Sequence, residues 1–107
     1  MRQLSAPALR QMLDAAGTEK PVLIDVREVW EFNIGHIAGA THIPMNDVPS
    51  RIQELDETHP TVVICHHGMR SLQVVAYLER MGFEHLHNLD GGIDAWSRQV
   101  DASVSRY

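Results

Sequence analysis

Apolar and polar positions along the chain alternate between two regimes, short continuous apolar runs and spacings of three and four. The first regime predicts strands buried on both faces and the second predicts amphipathic helices. Ser5 is placed to cap a first helix, with Leu9, Met12, Leu13 and Ala16 at helical spacing and Gly17 as its stop. Residues 22–26 follow Pro21 as an apolar run and predict a buried strand. Residues 28–33 read as a short helix, and His42-Ile43-Pro44 as a brief extended piece, because the residue before proline avoids the helical region. Asn46 is expected to cap a helix carrying Val48, Ile52 and Leu55.

The second half repeats the alternation more plainly. Residues 61–65 are β-branched and continuous, as in a central strand, and a glycine-containing loop leads to a helix opening at Ser71. That helix carries Leu72, Val75, Leu78 and Met81 and closes at Gly82; residues 86–89 form the next strand, and Asp90-Gly91-Gly92 turns into a last helix with Ile93 and Trp96. Strand–helix alternation implies an α/β fold, a mainly parallel sheet with helices on both faces. The tail, 101–107, is polar and expected to be loosely held.

Composition narrows the class. At 107 residues the chain has the size of one domain, and 44% hydrophobic with 21% charged residues is globular. A net charge of -5 without a basic stripe disfavours nucleic acid and anionic membranes as partners. One cysteine makes no internal disulfide. No apolar run approaches the roughly 18 residues of a membrane span and no secretory leader is visible, so the expected location is the cytoplasm.

The single cysteine sits at the carboxyl end of the central strand, where open α/β sheets bind ligands. It starts the segment Cys65-His66-His67-Gly68-Met69-Arg70-Ser71. Gly68 permits a positive φ, so the loop can curl and aim its N–H groups inward. The helix start adds the positive end of a dipole and Arg70 a permanent cation. Each favours a thiolate, which an ordinary cysteine of pKa about 8.5 holds only in small part at neutral pH. A lone cysteine is commonly a buried hydrophobe, but these neighbours favour an exposed anionic nucleophile in a small anion cradle.

Cys-x-x-Gly-x-Arg between strand and helix resembles the active-site loop of rhodanese-type sulfurtransferases. The stretch Asp25-Val26-Arg27-Glu28-Val29-Trp30-Glu31-Phe32, followed by residues 35–44, is similar to the family's N-terminal signature. Leu89-Asp90-Gly91-Gly92-Ile93-Asp94-Ala95-Trp96 resembles its C-terminal one, so the likeness spans about residues 22–96 in order. The resemblance implies a single-domain, three-layer sandwich with a five-stranded parallel sheet. It also implies that Cys65 attacks the sulfane sulfur of thiosulfate, becomes a persulfide and passes the sulfur to cyanide, a small thiol or a thioredoxin-like protein. Carried over by position, His66, His67, Gly68, Met69, Arg70 and Ser71 line the cradle, with Arg70 the candidate for thiosulfate's sulfonate-like end. Related phosphatases and arsenate reductases carry Cys-x5-Arg, one residue longer than the Cys-x4-Arg here, and the shorter ring favours sulfur. A non-catalytic sulfur carrier or regulatory binding module needs the same loop and stands as the alternative.

Other residues carry weaker signals. Asp25 and Arg27 are candidates for supporting the loop from behind, against a plainer reading as an ion-pair cluster with Glu31 tying strand to helix. His66-His67 and His85-x-His87 have ligand-like chemistry, but adjacent loop histidines are not expected to converge on one ion, so no metal or other cofactor is assigned. Trp96 suits a core anchor.

Overall fold

The computed structural model describes residues 1–15 and 19–107. Among these, five strands form one parallel sheet in the order β1-β5-β4-β2-β3: β1 Arg2–Leu4, β2 Val22–Asp25, β3 Thr41–His42, β4 Thr61–Ile64 and β5 Leu86–Leu89. β4 is central and fully buried, as its unbroken Thr-Val-Val-Ile demands, with Leu23 beside Val62 and Asn88 beside Val63. Successive strand residues face opposite ways. Leu23, Val62, Ile64 and Leu89 therefore join one core with Leu9, Ile93 and Trp96, while Ile24 and Val63 join the other with Ile43, Val74, Val75 and Leu78. The two cores lie under helices α1 (Ala6–Asp14) and α5 (Gly92–Gln99) on one face and α3 (Val48–Arg51) and α4 (Met69–Arg80) on the other. This is the expected parallel α/β sandwich.

The local departures have physical causes. β1 was not signalled by the sequence, because a three-residue edge strand with Arg2 and Gln3 exposed carries no hydrophobic pattern. α2 runs Val29–Ile34, with Glu28 as its cap and the Glu28 amide donating to Glu31 Oε1 at 3.0 Å. The segment expected to be one helix from Asn46 is 3-10 turn, α3 and 3-10 turn again, with Asp47 capping α3 and Pro49 in its first turn. The extended piece lies at Thr41–His42, paired to β2, rather than at 42–44. α4 starts at Met69, two residues before the Ser71 expected, because Gly68 at φ +102° lets the loop turn straight into helix. Ser5 caps α1 through its hydroxyl, which accepts from the Ala8 amide at 3.2 Å; the stop expected at Gly17 lies outside the described residues.

The tail corrects the largest expectation. Val104 is buried in the core with Trp96, and the Val100 and Asp101 amides both donate to Trp96 O. The last residue, Tyr107, reaches Arg27, Glu31 and His66 at the carboxyl end of the sheet. One apolar residue and one aromatic residue anchor a segment whose composition is otherwise polar.

Candidate active site

Cys65 follows β4 directly, and its side chain is 2% exposed, which corrects the expectation of an exposed nucleophile. The loop closes over the sulfur instead of presenting it. The Gly68 amide donates to Sγ at 3.1 Å, and the Ser71 hydroxyl lies 3.3 Å from it. Ser71, buried in the first turn of α4, gives its one hydroxyl proton to Asn88 Oδ1 on β5, so only its oxygen is turned to the sulfur. The Asn88 amide in turn donates to Gly68 O and Gln3 Oε1, so both residues that touch the sulfur are tied to one buried side chain. From the other side, the Ile93 and Asp94 amides at the start of α5 donate to Cys65 O (2.8 Å) and His66 O (3.1 Å). The sulfur thus sits against a backbone N–H, beside a buried hydroxyl oxygen, at the first turn of α4.

The remaining residues named from sequence divide into two groups. Gly68 and Ser71 touch the sulfur. Met69 is exposed, and His67 is exposed with its ring 3.9 Å from that of His66, which stacks on Tyr107 at 4.0 Å. Burial first, and then the neighbouring His67, hold His66 below the ordinary histidine range. Arg70 forms a bidentate pair with Glu31 (Nη1–Oε1 2.6 Å, Nη2–Oε2 2.8 Å). Asp25 and Arg27 form a fully buried ion pair at 2.7 Å, and Arg27 also donates to Gly35 O, Glu31 O and the Tyr107 hydroxyl.

The two adjacent histidines share their surroundings with Asp94. Ligand atoms of His66, His67 and Asp94 lie within 4.8 Å of one another. The Asp94 carboxylate, however, already faces Arg98 at 2.9 Å and Arg106 at 3.5 Å, and these cations oppose a metal's charge.

Glu31 was visible in the sequence only as a residue near Asp25 and Arg27. Its carboxylate is almost fully buried and collects four donors: both Arg70 Nη groups, the Tyr107 hydroxyl at 2.7 Å and the Glu28 amide. The Arg70 hydrogen bonds outweigh burial and bring its pKa down to about 2, while burial pushes Tyr107 up to about 12. A carboxylate depressed in the folded state contributes stability that is complete above its unfolded value near 4.5 and disappears as pH falls through about 2. Urea midpoints measured across that acid range are expected to fall more steeply for the parent than for Glu31→Gln. Parallel curves would show that the carboxylate adds no pH-dependent stability.

Comparison with known proteins places this arrangement. The rhodanese-like domain family matches residues 5–99. A protein of Bacillus subtilis (strain 168), provisionally named as the sulfurtransferase YtwF, is 41% identical over 100 residues, 94% of each chain. Thiosulfate sulfurtransferase GlpE of Stutzerimonas stutzeri (strain A1501) is 36% identical over 83 residues, 78% of this chain and 76% of that one. Among solved structures, a rhodanese-like domain protein from Staphylococcus aureus superposes with a TM-score of 0.85 at 28% identity, covering 100% of this chain and 99% of that one. The human single-domain sulfurtransferase TSTD1 gives 0.83 at 25% identity, covering 92% and 97%.

Proposed function

Because this chain belongs to the rhodanese-like domain family, we propose that it transfers a sulfane sulfur through a persulfide on Cys65. The sulfur comes from thiosulfate or a similar donor and goes to cyanide, a small thiol or a thioredoxin-like protein. The observation that supports this is the sulfur of the chain's one cysteine facing the Gly68 amide and the Ser71 hydroxyl at the start of α4. The Cys65 thiolate attacks the outer sulfur of thiosulfate; a new S–S bond forms on Cys65 as the donor's S–S bond breaks, and sulfite leaves with the electron pair. The acceptor's nucleophile then attacks the outer sulfur of the persulfide. That sulfur leaves as thiocyanate or as a persulfide of the acceptor, and the Cys65 thiolate returns.

The Gly68 amide serves each step, because negative charge stays on or next to Sγ throughout. Exposed Met69 and Trp30 beside the loop suit a protein-borne thiol as acceptor. Among the described residues no helix is long and apolar enough to cross a membrane. A cytoplasmic site of action, where thiols stay reduced, agrees with the chemistry.

Incubation with thiosulfate followed by intact-mass measurement tests the reading. The parent is expected to gain one sulfur atom, removable by cyanide, and Cys65→Ser none. A parent that gains no sulfur from thiosulfate or from a thiol persulfide overturns it.

A further inference from the structure

The guanidiniums of Arg27 and Arg70 are each paired to a carboxylate before any anion arrives. Arg27 is spent on Asp25, both fully buried, and Arg70 is clamped by both oxygens of Glu31. Two cations meet two carboxylates, so their charges cancel beside the loop, on a chain whose net charge is already -5. Arg70 lies two residues after Gly68, whose amide touches the sulfur, yet its guanidinium is turned to another partner.

Glu31 is not a mobile surface acid that a substrate could brush aside. It is 4% exposed, and the Glu28 amide at 3.0 Å fixes Oε1 while the Tyr107 hydroxyl at 2.7 Å fixes Oε2. Tyr107 is itself placed by Arg27 Nη1 at 3.1 Å, by its stack on His66 and by its edge contact with Trp30. The oxygen geometry that a sulfonate offers to a guanidinium is the geometry that Glu31 already supplies.

We propose that Glu31, anchored by Tyr107, is a specificity-determining residue: by holding Arg70 it raises the barrier to free oxyanion donors such as thiosulfate and favours sulfur carried on a thiol. The proposal deepens the sulfurtransferase reading and rests on it for its biological meaning. An oxyanion that is to take the paired Nη1 and Nη2 donors of Arg70 must displace a buried carboxylate. A persulfide on a thiol has no sulfonate and needs only the Gly68 amide at the sulfur.

Thiosulfate binding can be read without turnover. In a Cys65→Ser background, which cannot be loaded, calorimetric titration with thiosulfate is expected to show Glu31→Gln binding on the order of tenfold tighter than its parent. Tyr107→Phe, which keeps the ring and removes only the hydroxyl, is expected to shift affinity the same way by less, and it guards against a folding defect in the Glu31 variant. Adding Arg70→Ala to Glu31→Gln should abolish the gain. With Cys65 intact, Glu31→Gln should lower the KM for thiosulfate more than the KM for a glutathione persulfide donor. Unchanged or weaker thiosulfate binding in both Glu31→Gln and Tyr107→Phe overturns the proposal, as does a gain that survives Arg70→Ala. Failure of Cys65 to accept sulfur from either donor overturns the functional reading instead, and the binding titration still reports on Arg70.

Discussion

Gly92→Ala is expected to lower the melting temperature by roughly 10 °C or more, at about 3 kcal/mol of lost stability. Gly92 adopts φ +60°, and a Cβ there would lie 2.4 Å from both Cys65 O and His66 O and 2.5 Å from the His66 carbonyl carbon. These are backbone atoms, so no side-chain rotation relieves the overlap. A left-handed alanine costs ~1–2 kcal/mol by itself. Relieving the clash moves the start of α5 off the cysteine loop and breaks the Ile93 and Asp94 hydrogen bonds, each worth about 1 kcal/mol. Gly39→Ala is the control: φ is +87°, but its Cβ would meet nothing within 4 Å, so only the conformational cost of about 1 kcal/mol applies. Equal melting temperatures for the two variants would show that the close approach at Gly92 is relieved at no cost.

The second large effect is expected at Arg27. Arg27→Met keeps the length of the side chain but leaves Asp25 charged at 0% exposure without its partner. The parent guanidinium donates to Asp25 through Nε (2.9 Å) and Nη2 (2.7 Å) and to Gly35 O at 2.8 Å, joining β2 to the end of α2. Breaking one side of a buried pair costs roughly 3–5 kcal/mol, a large share of the ~5–15 kcal/mol that holds a domain folded. Adding Asp25→Asn is expected to restore much of that loss, because a neutral amide oxygen can still accept from the Arg27-position backbone N–H, as Asp25 Oδ1 does at 3.1 Å. Urea denaturation of the two variants checks this. A loss below about 1 kcal/mol in Arg27→Met, or no recovery in the double variant, would contradict the energetics argued for the pair.

What could be read from sequence follows the range over which each signal acts. β4, the cysteine loop and α4 were legible because their cues are local: a β-branched run, a glycine, and apolar residues at helical spacing. The Glu31–Arg70 pair joins residues 39 apart, and the Tyr107–Glu31 bond joins residues 76 apart. Such partners are chosen by strand order, which sets the ends of β2 and β4 side by side, and no spacing along the chain encodes that choice. Asn88 was read as one residue of a strand, yet it ties Ser71, Gly68 and Gln3 together because β5 lies next to β4. The tail misled for a related reason: its polar average concealed Val104 and Tyr107, and the contacts of single residues decide whether a short segment is held.

The position of β4 in the sheet also bears on how the chain acquires its reactivity. β4 needs β2 on one side and β5 on the other, and α5 must then seat against the loop before both carbonyls of Cys65 and His66 are engaged. These are non-local pairings, which form late because loop closure has to precede them. A chain still emerging from synthesis, with α5 not yet made, therefore carries the cysteine loop without the amides that hold its two carbonyls. The loop geometry around Cys65 is thus a property of the completed sheet and of α5 together, and not of the cysteine segment alone.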